Sequence, residues 1–202
     1  IEHNGLTLNG VGNGTKIENI YVLESADDAI EFFGGTVNVT NLLAVNPDDD
    51  MFDFTQGYCG TLKNCYGVWE SDYTSTEADP RGIEADGNMD GLYPDHLRQS
   101  DFKVENMTIV NNAATPADNV DRMQDVIKIR RGAKATITNA LVKGTGGAID
   151  LVDMKDSKGA GNIESSIHIT NALSFTGVKQ NGELNTFVES ADNTGADASL
   201  FG

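Results

Sequence analysis

One phrase occurs twice in succession and constrains this chain more than any other feature. Asp27-Asp28-Ala29-Ile30-Glu31-Phe32-Phe33-Gly34-Gly35 is followed, 22 residues on, by Asp49-Asp50-Met51-Phe52-Asp53-Phe54-Thr55-Gln56-Gly57. Short apolar alternations repeated at that period mark a solenoid, in which each repeat is one coil stacked on the next. A column of asparagines carries the same register through the chain: Asn19, Asn41, Asn64, Asn106, Asn139 and Asn171, at spacings of 22, 23, 42, 33 and 32 residues. The first two spacings give the bare coil. The longer ones read as a coil plus an insertion.

Two residues before each asparagine stands an apolar side chain: Ile17, Val39, Leu62, Val104, Ile137 and Ile169. One residue after come Ile20, Leu42, Cys65, Met107, Ala140 and Ala172. These positions predict the inward face of stacked parallel strands. An asparagine at a repeated corner tolerates left-handed backbone, and its amide can bond to the asparagines about 4.8 Å above and below. A second strand per coil lies about ten residues upstream in an apolar–variable–apolar pattern. It is read at Leu6-Thr7-Leu8, Ile30-Glu31-Phe32, Phe52-Asp53-Phe54, Ile83-Glu84-Ala85, Ile127-Lys128-Ile129 and Ile149-Asp150-Leu151. The expectation is an all-β, right-handed, single-stranded parallel β-helix of about six coils of about 22 residues. Corner insertions are placed near Glu70–Arg81, Gly87–Ser100, Thr115–Gln124 and Met154–Glu164. Residues 1–202 form one domain in this reading, with a partial coil and tail over 181–202.

Charge narrows the partners. The formal net charge is −17 with only 14 Lys and Arg, which argues against a nucleic-acid surface. No apolar run reaches the roughly 18 residues of a membrane span. The chain begins at Ile1 without a visible signal peptide, so a mature product or a fragment of a longer protein is expected. Open strand edges at the ends of a solenoid invite end-to-end self-association.

Several phrases closely resemble a family of secreted bacterial right-handed parallel β-helix proteins of the pectate-lyase-like fold. These are large surface or lipoprotein-like proteins found especially in marine Gram-negative bacteria. The phrases are Asn4-Gly5-Leu6-Thr7-Leu8-Asn9-Gly10-Val11-Gly12, Asp27 through Val37, and Arg81-Gly82-Ile83-Glu84-Ala85-Asp86, and the likeness covers about residues 4–143. The resemblance implies that fold and export to the cell surface or medium. It carries over no catalytic residue.

The middle residues of the second strand form an expected outward column: Thr7, Glu31, Asp53, Glu84, Lys128 and Asp150. Acids about 5 Å apart repel by roughly 3 kcal/mol at an effective dielectric near 20. Such a column is either a solvated acidic ridge or a cation site, and calcium suits several flexible oxygen ligands. The candidate metal ligands are Asp27, Asp28, Glu31, Asp48, Asp49, Asp50, Asp53 and Glu84. In pectate-lyase-like enzymes calcium and a neighbouring base abstract a proton α to a uronate carboxylate; here Lys128 or Arg130 would be that base. A hydrolase reading of the paired aspartates lacks a Gly-His-Gly run, and His3, His96 and His168 stand in unrelated contexts. Cys65 reads as a small core residue. Tyr21, Leu43 and Tyr66 form an outward stripe that could contact a polysaccharide, and cover by an insertion loop is expected instead. The composite expectation is a secreted structural or adhesive module stabilised by calcium, with a calcium-dependent polysaccharide lyase or other carbohydrate-active enzyme as the alternative.

Overall fold

The computed structural model describes residues 3–114, 123–148, 150–154 and 165–175, and the backbone of residues 179–180, 183–184 and 188–189. Two strands build each coil. They are β1 (Leu6–Asn9) and β2 (Lys16–Leu23), β3 (Ile30–Phe33) and β4 (Asn38–Val45), β5 (Phe52–Thr55) and β6 (Thr61–Trp69). The next three coils are β7 (Ile83–Asp86) and β8 (Asp101–Asn111), β9 (Asp125–Arg130) and β10 (Lys134–Lys143), β11 (Asp150–Asp153) and β12 (Ser166–Phe175). Three two-residue strands follow: β13 (Lys179–Gln180), β14 (Glu183–Leu184) and β15 (Val188–Glu189).

The odd-numbered strands stack into a seven-stranded sheet in the order β1-β3-β5-β7-β9-β11-β15. The even-numbered strands stack into a six-stranded sheet, β2 to β12. Every pairing within these sheets is parallel and one coil apart, so the architecture is a parallel β-helix. β13 and β14 form a separate antiparallel pair. Most of 181–202, the expected partial coil and tail, lies outside the described residues, as do 115–122 and 155–164 of the expected insertions. Among the described residues no helix is long and apolar enough to cross a membrane.

The asparagine column is a continuous ladder. Each side-chain amide donates to the carbonyl oxygen of the asparagine one coil earlier, from Asn41 to Asn19 through Asn171 to Asn139, at 2.8–3.1 Å. All six asparagines have φ between 54° and 61°, the left-handed region in which asparagine is among the least strained non-glycine residues. That one-residue bend explains the spacing of the core columns. It reverses the strand's alternation, so the residues two before and one after the asparagine both point inward. Val39, Leu62, Val104 and Ile137 are fully buried on one side of it, and Leu42, Cys65, Met107 and Ala140 are buried on the other.

The interior between the sheets is filled by stacked side chains. Phe32 and Phe54 stack with centroids 5.2 Å apart, Phe54 and Phe102 at 4.1 Å, and Tyr58 closes on Phe32 at 4.3 Å. The Tyr58 hydroxyl donates to the Val37 carbonyl at 2.7 Å, which satisfies its only buried polar atom. Cys59 and Cys65 are free thiols, and burial pushes the Cys65 thiol up, as a small core residue requires. The corner after β3 needs glycine: Gly35 has φ 87°, and a Cβ there would lie 2.5 Å from the Val11 carbonyl oxygen.

Two expectations are corrected. The last coil is registered three residues later than the pattern Ile149-Asp150-Leu151 suggested: Val152 pairs with Ile127, and Asp153, not Asp150, pairs with Lys128. Both Ile-Asp-Leu and Val-Asp-Met fit an apolar–acid–apolar template. In the observed register Asp150 falls level with Asp125, one rung of a corner column that the template does not contain. Among the described residues no loop covers the Tyr21–Leu43–Tyr66 stripe; these residues are 60%, 39% and 41% exposed on neighbouring strands of the even-numbered sheet. The described insertions, between β6 and β7 and between β7 and β8, leave the helix at other corners.

Candidate functional site

Stacking brings the repeated acids together on the outer face of the odd-numbered sheet. Glu31 pairs with Asp53 and Asp53 with Glu84, and they form the floor of a trough of about 370 Å³. The upstream wall is the corner run: Asp27 and Asp28 from one coil, Asp49 and Asp50 from the next. The downstream wall is Phe33, Thr55 and Asp86, closed by Met89 and Asp90 from the insertion between β7 and β8. Arg130 lies at the far end.

The upstream wall is built by a second ladder. By register, Asn4, Asp28, Asp50, Arg81, Asp125 and Asp150 occupy one column, three residues ahead of the outward residue of each strand. Asn4 Oδ1 accepts the Asp28 N–H at 3.2 Å, and Asp28 Oδ1 accepts the Asp50 N–H at 3.0 Å. The buried Asp28 is thus partly structural, since it takes a main-chain donor from the next coil. The column was legible in the sequence as Asp28-x-x-Glu31, Asp50-x-x-Asp53, Arg81-x-x-Glu84 and Asp125-x-x-Lys128. It lies outside the two-residue alternation of the strands, which ends before the corner.

Seven of the eight candidate metal ligands line the trough, and Asp48 does not. Asp48 Oδ1 accepts from the Tyr73 hydroxyl at 3.0 Å and the Thr76 N–H at 2.8 Å, so its carboxylate ties down the insertion between β6 and β7. Glu84 is present but already paired: Arg81 Nη1 lies 3.3 Å from its Oε2, and Arg130 Nη2 contacts its Oε1. Asp86 and Asp90 belong to the same wall. Asp86 Oδ1 accepts from Arg130 Nε at 2.7 Å, Asp86 Oδ2 accepts from Arg131 Nη1 at 2.6 Å, and Asp90 lies 3.3 Å from that same nitrogen. Asp86 was within reach of the sequence, two residues after Glu84 on the same strand face.

At the other end of the trough Arg81 pulls Asp49 and Asp50 down, but burial and the neighbouring acids outweigh it. Among the described residues, Asp49, Asp50 and Asp53 each keep a buried Oδ1 with no hydrogen-bond partner, and Asp50 as a residue is only 1% exposed. Burial pushes Asp28 up to about 9, helped by the charges of Asp49, Glu31 and Asp27. Asp49 is pushed up to about 7, again by burial first and then by Glu84 and Asp79. Asp50 and Asp53 are driven well above the usual carboxylate range by burial, with Glu84 and Asp49 adding to the first and Asp28 and Glu84 to the second. A carboxylate in this condition holds a proton or takes a cation. Two sets of three oxygens lie within 4.8 Å of one another, Asp27/Asp28/Asp49 and Asp28/Glu31/Asp53, a spread that suits a single divalent ion.

A third acidic set, Asp125/Asp150/Asp153, is served differently. Arg81 Nε donates to Asp125 Oδ2 at 3.1 Å, and Lys128 Nζ contacts Asp153. Lys128 lies beside Glu84, its partner across β7 and β9, but it is not a solvated base. It is 4% exposed and pairs with the last coil. Arg130 does reach the trough, held between Glu84 and Asp86. Burial pulls it down, but the two carboxylates outweigh that and push it up, away from deprotonation.

A smaller hollow of about 220 Å³ adjoins the trough and shares Gln56 and Met89 with it. Tyr93, His96 and Asn88 complete it, and Tyr93 is 54% exposed. From the insertion between β7 and β8, Asp90 lines the trough while Tyr93 and His96 line the hollow.

A family model described as "Pectate-lyase like beta helix domain" matches residues 1–199. No curated protein and no solved structure matches the chain.

Proposed function

The chain belongs to the pectate-lyase-like β-helix family, and from that premise we propose that it is a calcium-stabilised structural or adhesive module displayed on, or secreted from, a bacterial cell. The observation that carries this reading is the set of buried, unpartnered oxygens on Asp49, Asp50 and Asp53. Such oxygens are costly when empty-handed, at about 1–3 kcal/mol each. A hard cation that accepts several carboxylates in flexible geometry removes that cost, and a net charge of −17 suits a calcium-containing medium. The exposed Tyr21–Leu43–Tyr66 stripe supplies a flat aromatic surface for a polysaccharide partner.

The cationic side chains argue for a module and against a lyase. A base for proton abstraction must be able to give up its proton and must face the substrate. Arg130 is locked between two carboxylates, and Lys128 does not line the trough. The alternative, a calcium-dependent lyase or other carbohydrate-active enzyme, draws on the hollow of Tyr93, Met89 and His96 beside the trough, which could seat a sugar ring. The two are separated by incubating the chain with polygalacturonate and calcium and following ultraviolet absorbance of unsaturated uronate. The module reading expects no product over the no-protein control while the same calcium raises the melting temperature. Steady product formation that is lost in Arg130→Gln would favour the enzyme.

A further inference from the structure

We propose that the trough holds two divalent cations at once, bridged by the carboxylate of Asp28. The inference rests on the trough being a cation site and adds its stoichiometry and its shared ligand. Of the two oxygen sets, one is Asp27/Asp28/Asp49 and the other is Asp28/Glu31/Asp53; Asp28 alone belongs to both. The fold explains why. Asp28 stands at the corner where the chain enters β3, so it meets the corner acids of its own and the next coil on one side. On the other side it meets the floor pair Glu31 and Asp53, which are direct partners across β3 and β5.

Geometry separates the two sets. Oxygens bound to one calcium at about 2.3–2.6 Å lie at most about 5.2 Å apart. Each set meets that limit, but no set within 4.8 Å among the described residues contains both Asp49 and Asp53. Each of these two residues also has a buried Oδ1 without a hydrogen-bond partner. The two sets therefore meet only through Asp28. Asp50, 1% exposed and with its own Oδ1 unpartnered, lines the trough alongside them. Two dications so close repel unless negative charge lies between them, and the Asp28 carboxylate is the group that lies in both sets. Its orientation is fixed, because its Oδ1 accepts the Asp50 N–H at 3.0 Å.

The test is calorimetric titration of calcium chloride into the chelator-treated 202-residue chain near neutral pH, with folding of each variant checked by circular dichroism. Two ions per chain are expected. Asp27→Asn and Glu31→Gln should each reduce the count to one. Asp28→Asn keeps the oxygen that accepts the Asp50 N–H but should weaken both steps by about tenfold or more, since calcium affinity follows ligand charge. Terbium and europium loaded together should show energy transfer in the parent chain and not in Asp28→Asn. One ion in the parent chain overturns the pair and leaves the cation reading standing. Two ions of which Asp28→Asn loses only one overturn the bridge. No saturable calcium uptake overturns both readings. If Asp28→Asn does not fold, the single-ion counts of Asp27→Asn and Glu31→Gln decide, and two ions in either variant sink the proposal.

Discussion

Replacing Arg81 by methionine is expected to destabilise the chain by about 3–5 kcal/mol, the usual cost of removing one partner from a buried ion network. Arg81 has a side chain only 7% exposed and divides its guanidinium three ways: Nε to Asp125 at 3.1 Å, Nη1 to Glu84 at 3.3 Å and Nη2 to Asp79 at 3.1 Å. It occupies the corner column between Asp50 and Asp125, so it is the one cation that interrupts a run of stacked acids. Methionine keeps most of the volume and leaves Asp125 without its partner. At about 2–4 °C per kcal/mol for a chain of this size, the melting temperature should fall by about 6–20 °C. Arg81→Lys retains charge but not the three-way fork and should fall between the two. The exposed Lys16–Glu18 pair is the control: its side chains are 77% and 41% exposed, and Lys16→Ala should change stability by less than about 1 kcal/mol. Thermal unfolding followed by circular dichroism measures all three. A melting temperature for Arg81→Met equal to that of Lys16→Ala would show that the network carries no stability.

Without calcium, stability should fall as pH rises from about 4 toward about 9. Asp28 has an ordinary value of 3.8 and is pushed up to about 9 in the folded chain, mainly by burial and then by Asp49, Glu31 and Asp27 around it. Asp49 moves in the same direction, to about 7. Between the unfolded and folded values the folded chain binds more protons than the unfolded one, so raising the pH across that window favours unfolding. Below the window both states are protonated and the effect vanishes; above it the full penalty is felt. Calcium should reverse the trend, because it replaces the protons. At a hundredfold excess over Kd one ion contributes about 2.7 kcal/mol, or about 5–10 °C in melting temperature. The shift should be large near pH 8 and small near pH 5, where protons compete for the same oxygens. Equal shifts at both pH values would place the bound calcium elsewhere on the molecule.

The parts of this chain that sequence made legible are those governed by periodicity. The asparagine column, the inward apolar positions on both sides of it and the pairing of Glu31 with Asp53 follow from a fixed coil length and two-residue alternation. What escaped lies at corners and in loops, where neither rule applies. The direction of the Asp48 carboxylate depends on Tyr73 and Thr76, which arrive from an insertion of its own coil. The fate of Lys128 depends on Asp153, which the strand pattern alone does not place opposite it. Asp90 joins the trough because a single 3₁₀ turn, Met89–Gly91, carries it back over the sheet, at φ 50°. Of the two arginines that neutralise Glu84, Arg81 stands at a corner, outside the strand alternation. A column shows which acids stack, while loop geometry decides which of them keep their charge uncompensated.

The claim that the trough is a calcium site is tested most directly by thermal unfolding near pH 8 in excess calcium and in excess chelator, for the parent chain and for Asp53→Asn. Asp53 has its Oδ1 buried without a hydrogen-bond partner and faces Glu31 across one rung, so it is a ligand position whose replacement breaks no described ion pair. The parent chain should melt about 5–10 °C or more higher in calcium than in chelator. Asp53→Asn should lose at least half of that difference and should be no less stable than the parent in chelator, because one repelling charge is gone. Identical melting curves for the parent chain in calcium and in chelator would contradict the assignment.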